Sequence, residues 1–536
     1  MNNKHIHFIG ICGVAMSALA LALKRAGYSV TGSDKGVYPP ISTYLKESGI
    51  DYYVGWHVEK MGNPDLVVVG NVAGSQNPEW LHVQENNISY KSYPEVVSEF
   101  FIKEKSIVCA GTYGKTSTSA LLSWILTQTD MDPSYMFGGL SQNNIPSANI
   151  GKPILSLNEV KEKNPDAKQR DPSAPASSSL HSEFASAQDY EWSIVEGDEY
   201  KSSRWDNKAK FFHYKPTHLL LTACKWDHAD VYPTEQSYMK AFDELIELVP
   251  KDGLIVASEH VTHNMDHITN IIRYGKSETN DYKYSNVVQT QDGLDFDITL
   301  KSKTYNLKPK ILGTYQAENI TACFAMAHQI GIEPEKIISS IESFKGIKRR
   351  LEKRFVGDAT IIDDIAHSPD KAQSALQTLS NIYSEPQSGE ESVEAKSDTL
   401  QSINVNQNKH TSKDPHGRSS SLRISPRIIA IFEPNGGNRQ QESIPGYDNK
   451  FVSADEVIIP RLTRIKQDPT KPENLDGEKL AQVISKTHRN AKYITDDEEI
   501  INYLVKNTNK NDVVVFLGSH GFRNMIENLI EKYENS

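Results

Sequence analysis

Four cysteines in 536 residues (Cys12, Cys109, Cys224 and Cys323), none in a CxxC spacing, leave no basis for a disulfide framework or a thiolate metal cage. Each sits among apolar or small neighbours and reads as a reduced packing residue of a cytosolic protein. No run approaches 18 consecutive apolar residues, which argues against a membrane-spanning helix. The opening Met1-Asn-Asn-Lys-His-Ile-His leads straight into an expected strand and leaves no room for a signal peptide. Positive charge is also in short supply. Lys and Arg number 58 against 69 Asp and Glu, a net charge of −11, which excludes a nucleic-acid-coating role. Any bound anion must therefore be met by local basic residues rather than by a basic surface. The chain is too long for a single core and calls for about three domains.

Strands and helices alternate along nearly the whole chain, the pattern of α/β layers. The first unit is a strand (5–9), a glycine turn (Gly10-Ile-Cys-Gly13) and an apolar helix (15–25). A second strand ends at Gly32-Ser33-Asp34, the place where a dinucleotide fold reads a ribose or base. The glycine turn lacks the complete GxGxxG, so NAD is not the first choice. A further strand, 65–69, leads to Gly70-Asn71. The expected domains are 1–104, 105–347 and 348–536. The second is interrupted at about 159–188 and the third at about 385–421, by polar stretches too poor in apolar residues to offset chain entropy. Between them, Tyr238, Phe242, Leu245 and Val249 recur at helical spacing and read as core.

The most informative stretch is Ile107-Val-Cys-Ala-Gly-Thr-Tyr-Gly-Lys115-Thr116-Ser117. An apolar strand (106–110) enters a turn bracketed by Gly111 and Gly114, and a helix (116–128) leaves it. Glycines let backbone N–H groups close on an anion, and the helix N-terminus adds partial positive charge. Lys115 supplies a full charge at the β/γ-phosphates, and the Thr116 hydroxyl suits Mg²⁺. The plain alternative is an ordinary strand–turn–helix with a solvated lysine.

Acidic clusters recur where expected strands end. Glu196-Gly-Asp198-Glu199 follows 192–195, and Asp227-His228-Ala-Asp230 follows 219–222. Glu196 with the Thr116 hydroxyl and phosphate oxygens makes a magnesium site, because Mg²⁺ takes few protein ligands and keeps waters; an exposed acidic turn is the alternative. Lys348-Arg349-Arg350 marks the junction of the second and third domains, where an arginine fork suits phosphate oxygens and a solvated basic turn is the alternative. Asp363-Asp364-Ile-Ala-His367-Ser-Pro369 follows another strand, and its paired carboxylates suit ribose hydroxyls.

Taken in order, these motifs resemble the Mur ligases, ATP-dependent amide-bond-forming enzymes of peptidoglycan metabolism. Gly111–Thr116 resembles the family's GT-x-GK-[ST] loop, Glu196–Glu199 its EADE turn and Asp227-His228 its DH. Arg350–Glu352 resembles its R-x-E junction, and Asp364–Pro369 its D-x-AH-x-P. The resemblance implies three domains: a Rossmann-like N-terminal domain, a central P-loop ATPase-like domain and a C-terminal Rossmann-like domain. It also implies ATP and Mg²⁺ as cofactors, with Lys115, Glu196 and His228 catalytic and Thr116, Glu196 and His228 around the metal. Gly111, Thr112, Gly114, Lys115, Thr116, Ser117, Asn319, Arg350 and Asp364 would hold ATP.

The opening is similar to the branch that binds UDP-N-acetylmuramic acid, which would use Gly10, Gly13, Met16, Ser17, Ser33, Asp34 and Asn71. Val37–Thr43, Gly70-Asn71 with Asn77-Pro78-Glu79, and Asp206–Phe211 resemble ligases that take a whole murein tripeptide (L-Ala-γ-D-Glu-meso-diaminopimelate) as the amine in peptidoglycan recycling. Four motifs depart from the family pattern: Tyr113 replaces a His, Lys225 stands where an anion is usual, Tyr315-Gln316 replaces His-Asn, and Asn435 replaces an Arg. Three rival readings remain: an L-alanine-adding ligase, a nucleotide- or UDP-sugar-binding protein without ligase activity, and an NAD oxidoreductase. The sequence gives no oligomeric state.

Overall fold

The computed structural model describes residues 4–37, 41–151, 192–226, 231–383, 426–464 and 472–535. Both interruptions expected from the sequence, and the Asp227–Asp230 cluster with His228, lie outside them. The chain divides into two compact units, Met1–Arg350 and Leu351–Ser536.

The first unit holds two sheets. One is five-stranded and all parallel: β1 (His5–Ile9), β2 (Ser29–Asp34), β3 (Asp51–Val54), β4 (Leu66–Val69) and β5 (Tyr90–Ser92) stand in the order β3-β2-β1-β4-β5. From β1 the chain winds outward through β2 and β3, then returns to the other side of β1 as β4. The carboxyl ends of β1 and β4 therefore flank a topological switch point, where α/β sheets receive ligands. Gly10 and Gly70 both sit there.

The second sheet has ten strands. They are β6 (Lys105–Ala110), β7 (Ser134–Met136), β8 (Ala148–Asn149), β9 (Trp192–Gly197), β10 (His218–Leu221), β11 (Leu254–Ser258), β12 (Asn270–Gly275), β13 (Tyr282–Thr290), β14 (Gly293–Leu300) and β15 (Lys303–Leu307). Their order is β15-β14-β13-β12-β11-β10-β6-β9-β7-β8. β6 lies between β9 and β10, parallel to both. Its run Ser-Ile-Val-Cys-Ala is buried on both faces, which explains why it reads as continuously apolar rather than alternating. The following helix, Lys115–Gln128, packs against the helix Gln316–Gln329, and the Cys323 thiol meets the Thr118 carbonyl at 3.5 Å. Tyr238, Phe242 and Leu245 are buried on the helix Glu235–Glu247, and Val249 is buried just past its end, so the predicted stripe is core.

The second unit carries β16 (Glu352–Val356), β17 (Thr360–Asp364), β18 (Ile428–Glu433), β19 (Glu456–Ile459), β20 (Ala491–Tyr493) and β21 (Val513–Gly518) in the order β16-β17-β21-β18-β19-β20. Only β16 runs antiparallel to its neighbour. All three sheets are the α/β layers that the alternating pattern predicts.

Some acidic residues expected just beyond strands instead belong to the strands themselves. The parallel ladder continues through Cys109–Glu196 and Ala110–Gly197, so β9 includes Glu196. Asp364 likewise pairs with Leu517 at the end of β17. The helix after the glycine turn starts at Lys115, one residue early, because Gly114 is its left-handed N-cap.

Candidate active site

The loop Gly111–Gly114 is fixed by backbone geometry that only glycine suits. Gly111 has φ +137°, and a Cβ there would lie 2.2 Å from Thr222 Oγ1 and 2.8 Å from backbone atoms of Ala223. Gly114 has φ +81°, and its Cβ would fall 2.5 Å from Asn319 Oδ1. Thr112 clamps the loop to the chain leaving β10. Its amide donates to the Ala223 carbonyl (2.7 Å), its hydroxyl donates to the Lys225 carbonyl (2.6 Å), and the Lys225 amide donates back to that hydroxyl (2.9 Å). The Thr222 hydroxyl donates to the Tyr113 carbonyl. Thus the loop owes its shape to β10 as much as to its own glycines.

Charge gathers where this loop enters the helix. Lys115 Nζ donates to the Gly111 carbonyl at 2.7 Å and lies 3.0 and 2.9 Å from the two carboxylate oxygens of Glu199, which is buried. Beside it, the Thr116 hydroxyl donates to Glu196 Oε1 (2.8 Å), while the Gly138 amide donates to Oε2 (2.6 Å). Asp198 pairs with Lys210. Burial alone would raise the Asp198 carboxyl, but the Lys210 ammonium, the Tyr200 amide and the more distant Lys115 hold it below the ordinary carboxylate range. Tyr232 donates to the Glu199 carbonyl (2.7 Å), so the acidic turn is braced from behind.

Gly111, Thr112, Gly114, Lys115, Thr116, Ser117, Glu196 and Asn319 therefore come together within one unit. Asn319 lies against Gly114 and donates to Gln316 Oε1 at 3.0 Å. Arg350 is exposed at the end of that unit, between Arg349 and Leu351, both with positive φ. Asp364 belongs to the second unit, where its oxygens accept the Leu351 and Ala366 amides at 2.8 Å each.

The residues assigned to a sugar nucleotide gather at the switch point of the five-stranded sheet. Gly10 and Ile11 donate their amides to the Ser33 carbonyl (2.8 and 3.0 Å), and Cys12 donates to Asp34 Oδ2 (2.8 Å). Gly13 caps the helix Val14–Arg25, on which Met16 and Ser17 are buried, and Asn71 is exposed after β4. Ser33 turns its hydroxyl to Glu79 and Asp34 its carboxylate to the Cys12 amide, so both frame the glycine turn.

Glu199, which holds Lys115, escapes the sequence reading as a site residue. Glu199 stood in the acidic turn, but no sequence pattern names a lysine's counter-ion 84 positions away in the chain.

A hard-oxygen pair, the Thr116 hydroxyl and the Glu196 carboxylate beside the glycine loop, fits Mg²⁺, which takes few protein ligands. Among the described residues no group of three or more His, Cys, Asp or Glu forms an all-protein cage.

Comparison with known proteins identifies the family. Residues 5–105 match the model described as Mur ligase family, catalytic domain, and residues 109–327 match the Mur ligase middle domain. The UDP-N-acetylmuramate–L-alanyl-γ-D-glutamyl-meso-2,6-diaminoheptandioate ligase of Haemophilus influenzae is 30% identical over 382 residues, 70% of this chain and 76% of its own. The UDP-N-acetylmuramate–L-alanine ligase of Clostridium acetobutylicum is 26% identical over 525 residues, 96% of this chain and 95% of its own. The crystal structure of UDP-N-acetylmuramate-alanine ligase from Thermotoga maritima superposes with a TM-score of 0.69 at 18% identity, covering 99% of this chain and 100% of that one, and shows the shared three-domain fold. The chain belongs to the Mur ligase family of ATP-dependent, amide-bond-forming ligases.

Proposed function

We propose that this ligase joins the lactyl carboxylate of UDP-N-acetylmuramic acid to the amine of a murein tripeptide in peptidoglycan recycling. One observation carries the activation step: Lys115, Thr116 and Glu196 converge where β6 and β9 end. An ammonium and a hard-oxygen pair at that point suit a nucleoside triphosphate whose terminal phosphoryl group is to be transferred.

A carboxylate oxygen of the sugar acid attacks the γ-phosphorus of ATP, and ADP leaves. The amine nitrogen attacks the acyl carbon and loses a proton, and inorganic phosphate departs with the oxygen that had attacked. Lys115 neutralises charge on the transferring phosphoryl group, and the loop's amides from Tyr113 onward into the helix N-terminus hold the phosphate chain. Thr116 and Glu196, with His228 by resemblance, would hold Mg²⁺, which supplies further charge neutralisation when bound. Asn319, Arg350 and Asp364 are assigned to the rest of the nucleotide. Gly10, Gly13, Met16, Ser17 and Asn71 are assigned to the sugar nucleotide, with Ser33 and Asp34 framing the turn that carries Gly10.

The tripeptide is favoured over L-alanine by the higher identity to the Haemophilus relative, 30% against 26%. Alignment of the alanine ligases along 96% of the chain supports the second reading. Offering UDP-N-acetylmuramic acid, ATP and Mg²⁺ with either L-alanine or the tripeptide, and weighing the products by mass spectrometry, separates the two. A tripeptide conjugate is expected; an alanine conjugate alone would replace the reading with its rival.

A further inference from the structure

The five-stranded sheet buries a carboxylate that none of the chemistry above employs. Glu79 is 0% exposed in the first turn of the helix Pro78–Glu85, whose N-cap Asn77 accepts the Trp80 amide. Its Oε2 accepts the Ser33 hydroxyl. Its Oε1 accepts the Tyr53 hydroxyl and the His57 amide, both at 2.7 Å. The fully buried His7 Nε2 lies 3.8 Å from Oε2, and His7 Nδ1 meets the Thr31 hydroxyl at 2.8 Å. Burial alone would raise the Glu79 carboxyl, but His7, Ser33, Tyr53 and the His57 amide hold it below the ordinary range. One anion thus ties β1, β2, the chain after β3 and the Pro78–Glu85 helix together.

A packing role alone does not explain where these bonds end. Ser33, whose hydroxyl Glu79 holds, offers its carbonyl to two consecutive amides of the glycine turn, Gly10 and Ile11. Shape therefore passes from Glu79 through Ser33 to the turn at the switch point. An apolar side chain could fill the same space but would leave the Ser33 hydroxyl and the His57 amide without this acceptor.

We infer that Glu79 is a positioning residue for the sugar-nucleotide pocket, holding the Gly10 turn in its binding shape through Ser33. The link to a sugar nucleotide rests on the function proposed above; the link to the turn does not. Glu79→Gln keeps the volume but cannot accept from all three donors.

The test uses the full-length protein and two readouts. Amide hydrogen exchange in Glu79→Gln should be about tenfold faster across residues 10–17 and unchanged across 111–118. The KM for UDP-N-acetylmuramic acid should rise about tenfold, with kcat and the KM for ATP within about twofold of wild type. Ser33→Ala cuts the same link and carries the test if Glu79→Gln gives no folded protein. Unchanged exchange at 10–17 would overturn the inference, as would a uniform acceleration with equal rises in both KM values, the mark of a merely structural role. Should wild type fail to saturate with UDP-N-acetylmuramic acid, the proposed function fails, while exchange at 10–17 still decides the role of Glu79.

Discussion

Lys115 and Glu199 form a two-pronged ion pair, with the ammonium 2.9 and 3.0 Å from the two oxygens of a buried carboxylate. Removing either partner alone leaves a charge in a poorly hydrated place. Lys115→Ala is expected to lower kcat about 10²–10³-fold and to lower the unfolding midpoint. Lys115→Ala combined with Glu199→Gln should regain most of the stability and none of the activity. Steady-state phosphate release and denaturant melts check both halves. Equal midpoints for the single and double variants would contradict the pairing.

Glu196 accepts from Thr116 through one oxygen and from the Gly138 amide through the other, so its carboxylate is held in one orientation. Glu196→Gln should raise the magnesium concentration for half-maximal activity roughly 10–100-fold. The measurement is a magnesium titration at saturating ATP, and an unshifted curve would remove Glu196 from the metal site.

Gly111 leaves no room for a side chain. A Cβ 2.2 Å from Thr222 Oγ1 and 2.8 Å from the Ala223 backbone forces the loop off β10, on top of about 1–3 kcal/mol of backbone strain. Gly111→Ala is expected to weaken ATP binding by about tenfold or more. Calorimetric titration with ATP tests it, wild-type affinity being the adverse result.

His218, the first residue of β10, stacks edge-on against Trp192 at 4.9 Å, and burial, then Lys105, push its imidazole down to about 4 from 6.5. The unfolded chain takes up a proton near pH 6.5 while the folded ring stays neutral. Above that pH the group contributes no pH dependence, and below it stability falls until the folded ring also titrates near 4. Between pH 7 and 5 this costs about 2 kcal/mol. His218→Phe should lose that part of the pH dependence in denaturant melts. An identical slope in both proteins would refute it.

The Gly111–Gly114 turn was legible because its signal is local: strand, two glycines, lysine and hydroxyl all fall within a dozen consecutive positions. The glycine turn after β1 was legible for the same reason. What escaped is long-range. Glu199 meets Lys115, and Glu79 meets Ser33 and Tyr53, only after strands from distant parts of the chain align. The position of Ser33 and Asp34 at a strand's end suggests ligand contact. Their side chains face inward to Glu79 and to the Cys12 amide, a choice set by tertiary packing that no strand-end rule encodes.

The central claim is that the sugar acid is activated as an acyl phosphate. UDP-N-acetylmuramic acid labelled with ¹⁸O in its lactyl carboxylate, incubated with the enzyme, ATP, Mg²⁺ and the tripeptide, tests it most directly. One labelled oxygen should appear in each inorganic phosphate released, in step with amide product. Amide formed with unlabelled phosphate would contradict the account.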